Sequence, residues 1–300
     1  MNQKRIHPAW IAAGITWFTL VASAGYRSAP SVLIVPLEDS FGWSRSQISL
    51  AISINILLYG LTAPFAAALM ERFTVRKVVM SALTAVSIGA FLTIFMSKPW
   101  HLILLWGAVV GIGTGSMALV FAATIASRWF MQRRGLVVGA LTAAAATGQL
   151  IFLPLLSKLA MDHGWKSVSI TIAASAAIVI PLIWWGLNEH PQDIGHKPYG
   201  APADWVAPEK IQGHAAKNAI NALREGSKRK DFWLLFGTFF ICGLSTNGLI
   251  GTHFIPAAHD HGMGEVVAAS LLAMIGVFDV VGTVFSGYLT DRIEIGRAHV

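Results

Sequence analysis

Eight apolar segments of bilayer length are the feature that most constrains what this chain can fold into. They lie at roughly 9–36, 47–69, 78–97, 100–126, 136–160, 167–187, 232–257 and 266–289. A helix needs about 20 apolar residues to cross about 30 Å of hydrocarbon, so each segment can span a membrane. Only 12% of the residues are charged, against about 25% in soluble domains. We therefore predict an all-α integral membrane protein.

The first segment has an alternative interpretation as a secretory signal. Lys4 and Arg5 precede it, and Ala22, Ser23 and Ala24 resemble a signal-peptidase site. The apolar run, however, is longer than a signal peptide requires and continues past that site. We predict a retained first helix.

The distribution of lysine and arginine predicts the orientation, because cytoplasmic loops carry an excess of both. With a cytoplasmic N-terminus, 17 of the 22 basic residues lie inside. Four lie outside, namely Arg45, Lys98, Lys158 and Lys166, and Arg27 lies within the first span. We predict a multi-pass protein of a bacterial-type inner membrane. The same distribution accounts for the net charge of +7 without a nucleic-acid partner.

A long polar segment divides the chain into three parts: 1–187 with six spans, a cytoplasmic linker at 188–231, and 232–300 with two spans. Within the linker, Ile211, Ala215, Ala219 and Leu223 recur at four-residue intervals among basic residues. This spacing at about 208–225 predicts a basic amphipathic helix on the inner membrane surface. A solvated linker helix is the alternative.

An acid-arginine pair recurs after two even-numbered spans. Glu71 and Arg72 follow the second span, with Arg76 four residues later, and Asp291 and Arg292 follow the eighth. Two related halves are a common transporter plan. We predict a conformational clasp, in which such a carboxylate pairs with arginine or caps a neighbouring helix in one state only. An ordinary positively charged loop is the alternative.

These motifs carry a resemblance to a known family. The loop around Glu71 resembles the signature between the second and third helices of the major facilitator superfamily, with Glu71 in place of its usual Asp and Thr74 in place of its usual Gly. The stretches 25–45, 128–135 and 191–200 are similar to the monocarboxylate transporter and oxalate/formate antiporter branch.

The resemblance implies a fold of twelve helices in two six-helix bundles. This chain would hold the complete N-terminal bundle and the first two helices of the second, as a C-terminally truncated product. It also implies alternating access and small carboxylates as cargo, often moved with a proton.

Arg27 is the sharpest candidate for substrate binding. An arginine at a helix centre costs about 2.5–3.5 kcal/mol on insertion scales, so it is expected to face a partner or a watery cavity. A guanidinium matches a carboxylate in geometry and charge. The monocarboxylate branch has a basic residue at or beside this point. Snorkelling to the outer interface or pairing with Glu38 are the alternatives.

Asp279 is the one acid inside a span, in the middle of the eighth. Desolvation favours the protonated form of such a carboxyl, which suits a proton carrier. Asp279 matches the acid that the branch has in this helix, although the arginine often found four residues later is Thr283 here. A structural aspartate bonded to neighbouring helices is the alternative.

Six further polar side chains within spans are candidate substrate ligands: Tyr26, Asn55, Tyr59, Gln149, Asn247 and His253. Each could equally make a hydrogen bond between helices. His259, Asp260 and His261 form a cluster beyond His253 but provide no closed ligand set, so we predict surface histidines and no metal. Gly107, Gly111, Gly113 and Gly115 have no preceding strand and predict close helix packing rather than a dinucleotide loop.

The sequence therefore favours a secondary active transporter of a small organic anion, by symport with protons or exchange, acting as a monomer in the lipid bilayer without a cofactor. Efflux of apolar compounds is the alternative within transport. A membrane receptor or an intramembrane enzyme is the alternative of another class, but neither a sensing domain nor a nucleophile-base pair is evident.

Overall fold

The computed structural model describes residues 7–117, 119–207 and 215–292, and no β-strand occurs within these ranges. Eight of its helices are long and apolar enough to cross a membrane. In chain order, with one short linker helix α7, they are α1 (Pro8–Phe41), α2 (Arg45–Arg72), α3 (Val75–Phe95), α4 (Pro99–Trp129), α5 (Arg134–His163), α6 (Trp165–Gly186), α7 (Ala215–Gly226), α8 (Lys230–Asp260) and α9 (Glu265–Arg292). The predicted all-α fold with eight spans is confirmed.

Short turns join successive spans and define two faces of the molecule. We name the face where α1 begins and α6 ends the linker face, and the opposite face the distal face. On the distal face α1 is capped by Gly42, whose left-handed backbone (φ 66°) lets its N–H bond to Glu38 O. Two residues later Ser44 and Gln47 form a capping box that starts α2. This turn therefore has a fixed geometry.

The helix α1 lies at the centre of the bundle and is buried along most of its length, in contact with α5, α6 and α8. Around it, α2 packs on α4 and α3 packs on α6. The glycines of α4 allow the predicted close packing: a Cβ at Gly107 would lie 3.1 Å from Ala51 O of α2, and one at Gly113 would lie 3.0 Å from Ala82 O of α3. Helices in a membrane pack through such small residues.

The first part of the linker is fixed to the bundle by charged groups. Glu189 pairs with Arg128 and accepts a hydrogen bond from Val75 N at 2.8 Å, at the start of α3. Arg76 donates through Nε to Leu187 O at 2.7 Å and through Nη2 to Asn188 Oδ1 at 3.2 Å. These contacts join the ends of α3, α4 and α6 on the linker face.

A second attachment of the linker surrounds the start of α1. Tyr199 exchanges backbone hydrogen bonds with Trp129 and Met131. The His7 ring lies edge-on to His196 at 5.8 Å and to Tyr199 at 5.5 Å. Burial lowers the pKa of His7, and the neighbouring His196 lowers it further. A helix, α7, lies in the second part of the linker and contacts α2. The amphipathic helix on the membrane surface stays a prediction, and its positions 208–214 lie outside the described residues.

The last two spans attach to different parts of the bundle. α9 packs along α5, and α8 contacts α1 and α9. The middle of α8, from Gly243 to Ile250, is a π-helix, and a second π-helix occurs in α4 at Ile103–Val110. Widened turns of this kind are frequent at functional sites.

Candidate functional site

A cavity of about 350 Å³ lies in the interior of the bundle. Its walls come from α1, α2, α5, α8 and α9. Apolar walls are formed by residues that include Ile52, Ile56, Leu153, Phe239 and Leu272, and polar groups by Arg27, Asn55, Tyr59, Gln149 and Asn247. A largely apolar cleft with a few convergent polar groups is typical of small-molecule sites.

Arg27 is the one charged residue among the described residues that line this cavity. Its Nη1 donates to Tyr59 Oη at 3.0 Å and its Nη2 donates to Asn247 Oδ1 at 3.2 Å. The guanidinium carbon also lies 5.1 Å from the centre of the Tyr59 ring. A guanidinium has five N–H donors, and these bonds occupy two of them. The group can therefore accept an anion without losing its present partners.

The sequence alternative of an ion pair between Arg27 and Glu38 is wrong. Glu38 instead accepts two hydrogen bonds from Arg45, at 3.1 and 3.0 Å. The physical reason is reach, because Glu38 lies three turns further along α1, next to the turn that brings Arg45 beside it. Arg27 lines the cavity instead.

Close approach of α2 to α4 positions Asn55 and Tyr59. A Cβ at Gly111 would lie 3.0 Å from Asn55 O, and one at Gly115 would lie 2.6 Å from Tyr59 O. The backbone of α2 thus presses on glycines of α4. Asn55 Nδ2 donates to Trp106 O at 2.7 Å, within the π-helical part of α4. Asn55 therefore fixes this wall of the cavity.

Gln149 reaches the cavity from α5 because α1 and α5 touch at the neighbouring residue. A Cβ at Gly148 would lie 2.4 Å from Val21 O of α1. The Gln149 side chain lines the cavity and makes no hydrogen bond with the described residues. It is available to a polar group of a ligand.

Asn247 lies in the π-helix of α8, and Thr252 supports that segment. Thr252 Oγ1 donates to Asn247 O at 2.8 Å, across five residues, and both residues line the cavity. Arg27 and Asn247 are 220 residues apart in sequence. Their contact joins α1 to α8 at mid-depth.

Two predicted ligands are not among the residues lining this cavity. Tyr26 is fully buried in the core beside Arg27, and His253 lies next to the lining residue Thr252 without lining the cavity itself. Neighbouring positions on a helix point about 100° apart. The structure thus separates each of them from its cavity-lining neighbour by one helical step.

Asp279 is exposed on α9, seven residues beyond the cavity-lining Leu272. Seven residues are nearly two helical turns, so both lie on one face about 10 Å apart. Asp279 is consequently placed below the cavity, towards the linker face. Thr283 Oγ1 donates to Asp279 O at 2.7 Å.

The predicted clasp residues have unequal surroundings. Asp291 accepts hydrogen bonds from Gly135 N at 2.7 Å and Leu136 N at 2.8 Å, at the start of α5. Arg76 bonds to the end of α6, as described above. Arg72 and Arg292 lie over the rings of Phe73 and Tyr288. Glu71 is exposed and makes no hydrogen bond or ion pair with the described residues.

One group of contacts was missed in the sequence. Arg45 pairs with Glu38 and also with Asp260 of α8, at 2.6 Å. The sequence predicts Asp260 only as a member of a surface cluster with His259 and His261. The seven-residue separation of Glu38 and Arg45 across a Gly-Trp turn was the available signal for the first pair. No local signal could reveal the second.

Comparisons with known proteins agree on one family. The Major Facilitator Superfamily profile matches residues 16–299. An uncharacterized MFS-type transporter YcxA of Bacillus subtilis is 28% identical over 95% of this chain and 65% of its own length. Monocarboxylate transporter 13 of Bos taurus is 25% identical over 95% of this chain and 62% of its own length. The chain thus spans less than two-thirds of these relatives.

Solved structures show the same fold. The xylose transporter XylE from E. coli, in a partially occluded inward-open conformation, has a TM-score of 0.64 and 14% identity, with 96% of this chain and 74% of that chain covered. A structure of the proton:xylose symporter XylE with a bound bromo-deoxyglucose has a TM-score of 0.62 and 16% identity, with 94% and 70% covered.

The match extends over nearly the whole chain, and the relatives and structural neighbours reported above are named as transporters rather than enzymes. This chain is a multi-pass integral membrane protein that belongs to the major facilitator superfamily.

Proposed function

We propose that this protein is a secondary active transporter of a small organic anion, most simply a monocarboxylate, with the carboxylate bound to Arg27. The observation that carries the proposal is a guanidinium with three unoccupied N–H donors in a cavity whose described lining has no acid. In a low dielectric such a group attracts an anion strongly, and paired N–H groups match a carboxylate.

The remaining lining supports a cargo with one charge and an apolar body. Phe239, Ile52 and Leu153 offer apolar contacts, while the amide of Gln149 can bond to one neutral polar group. A second carboxylate would find no second cation in the described lining. The name of the bovine relative, a monocarboxylate transporter, agrees with this class. Efflux of apolar compounds would have no use for Arg27.

We further propose alternating access between the two faces, with the N-terminus and linker in the cytoplasm of a bacterial-type inner membrane. The distribution of basic residues along the sequence supports this orientation, because 17 of the 22 fall in segments that a cytoplasmic N-terminus would place inside. Asp291, which lies in the last turn of α9 and bonds to the start of α5, would form the clasp on that side together with the residues around Glu71. We propose a monomer as the working unit.

Proton coupling is assigned to Asp279 in this proposal. Its place on the face of α9 that continues from Leu272 supports a position on the path between the cavity and the linker face. The variant that tests this role is Asp279→Asn, for which we expect uptake to lose its response to a pH gradient. A variant that still follows the gradient fully would exclude this role.

The decisive experiment is uptake of a panel of small carboxylates into proteoliposomes by Arg27→Gln and Arg27→Lys. We expect Arg27→Gln to abolish uptake and Arg27→Lys to retain part of it, because lysine keeps the charge but loses the fork geometry. Arg224→Gln, which changes an exposed arginine of α7, is the matched control. Normal uptake by folded Arg27→Gln would refute the substrate role.

A further inference from the structure

A single guanidinium on the distal face holds two carboxylates from different parts of the chain. Arg45 Nε and Nη2 donate to the two oxygens of Glu38 at 3.1 and 3.0 Å. Its Nη1 and Nη2 also donate to the two oxygens of Asp260 at 2.6 and 3.2 Å. We name Glu38, Arg45 and Asp260 the Arg45 latch. Bidentate pairs of this kind are the stronger form of ion pair.

The two carboxylates of the Arg45 latch lie on elements that are attached differently. Glu38 and Arg45 flank the turn between α1 and α2, which is held by the left-handed Gly42 and by the capping box of Ser44 and Gln47. Their pairing does not depend on any other helix. Asp260, by contrast, is the last residue of α8 and lies 215 residues from Arg45 in the sequence.

Separation of α8 from the first six spans on the distal face must therefore break the bond to Asp260 but not the bond to Glu38. Arg45 is 39% exposed and Asp260 47% exposed, so water can solvate Asp260 when it leaves. Glu38 keeps Arg45 paired throughout. Glu38 and Asp260 also repel each other while both contact the same cation, and this repulsion favours opening.

We propose that the Arg45 latch controls access to the cavity from the distal face, with Asp260 closing it and Glu38 easing its release. The idea concerns the gating of the cavity described above and rests on the proposed transport function. It predicts that neutralising Asp260 and neutralising Glu38 change distal access in opposite directions, although both carboxylates bind the same arginine.

The test measures distal access to a single cysteine, Ile52→Cys, in a Cys242→Ser background of the protein in sealed vesicles. Ile52 lies on α2 seven residues from Arg45 and lines the cavity. A membrane-impermeant maleimide is applied to the distal face without substrate, and the labelling rate is recorded. Ion pairs between partly exposed side chains support changes of about two- to fivefold.

We expect Asp260→Asn to raise the labelling rate and Glu38→Gln to lower it, each by about two- to fivefold. Asp260→Glu should stay near the parent rate. The charge reversal Arg45→Glu with Asp260→Arg should restore slow labelling relative to Asp260→Arg alone. Glu225→Gln, which removes the exposed ion pair to Lys228 at 2.6 Å outside the spans, is the control and should change nothing.

The proposal is overturned if Asp260→Asn and Glu38→Gln shift labelling in the same direction, if neither shifts it, or if the control shifts it equally. Its failure is distinguishable from failure of the transport proposal, since labelling requires no substrate. If the two variants shift the labelling rate in opposite directions but the protein takes up no organic anion, the gating role of the Arg45 latch is supported and the proposed cargo is refuted.

Discussion

The helices α8 and α9 follow each other in the chain but are attached to the first six spans by different forces. α9 buries Ala268, Ala269, Leu272, Ala273 and Gly276 and runs against α5 along its length. α8 buries only Thr252, Ile255 and Pro256, all in its last third. Its cross-links are the polar side-chain contacts of Asn247 and Asp260.

The contact between α9 and α5 is one of backbone against backbone. A Cβ at Gly139 would lie 2.6 Å from Thr283 O, and one at Gly287 would lie 2.4 Å from Gly135 O. Asp291 then closes the linker end by capping α5. Such packing depends on shape, and dispersion contacts of this density are lost together when the surfaces part.

Apart from the packing of its last third, the contacts of α8 are directional bonds between side chains. The hydrogen bond of Arg27 to Asn247 and the ion pair of Arg45 to Asp260 can each break without disturbing the packing of the helices that carry them. From this difference we expect α8 to separate from the first six spans more readily than α9 separates from α5. Each prediction below changes one of the two attachments.

The largest effect is expected from Gly139→Ala, which adds one methyl group to the α5–α9 contact. The new Cβ would collide with Thr283 O, and overpacking of this kind costs about 1–3 kcal/mol. In Gly282→Ala, on the same face-to-face pair of helices, the Cβ meets no atom within 4 Å, so alanine should be neutral or stabilising. Thermal unfolding in detergent measures both, and equal melting temperatures would show that this contact is not tight.

A smaller loss of stability is expected for Asp291→Asn. The carboxylate accepts two N–H groups at the start of α5, whereas an amide can accept through one oxygen and lacks the charge that the helix N-terminus attracts. Loss of an N-terminal cap costs about 0.5–2 kcal/mol.

The control for that variant is Asp162→Asn, in the exposed last turn of the same helix. A carboxylate at a helix C-terminus gains nothing from the dipole, so its neutralisation should not destabilise. Equal destabilisation by the two substitutions would show that Asp291 does not act as a cap.

The sequence was sufficient for the spans because apolar length is a local property. A polar side chain in an apolar segment is expected to have a polar partner or a ligand. On this ground the sequence also indicated five residues that the structure places around one cavity: Arg27, Asn55, Tyr59, Gln149 and Asn247. It could not separate Tyr26 from Arg27. Rotation of a helix about its axis depends on which neighbours surround it, and neighbouring residues differ by only 100°.

The sequence could not predict the apolar residues of the cavity or the distant ion pair, because both depend on how the helices pack. Phe239 and Leu153 line the cavity, yet an apolar residue that faces a ligand has the same sequence signature as one that faces lipid. Arg45 and Asp260 are 215 residues apart, so their contact exists only once α8 is seated against α1. Tertiary packing supplied this information.

The smallest effect should come from Thr252→Val, which tests whether the π-helix of α8 positions Asn247. The hydroxyl bonds to Asn247 O at 2.8 Å, and valine keeps the shape but not the bond. Hydrogen bonds between side chains and neighbours in membrane helices contribute about 0.6 kcal/mol on average, which corresponds to about a threefold change in a dissociation constant. We expect substrate affinity to fall by about that factor while thermal stability changes little.

The same substitution at Thr238 is the matched control, because Thr238 Oγ1 bonds to Leu234 O at 2.9 Å in the α-helical part of α8 and does not line the cavity. If both variants weaken substrate binding equally, the effect comes from softening α8 as a whole. If only Thr252→Val does, the widened turn acts locally, and the mobile attachment of α8 and the binding of the anion share one residue, Asn247.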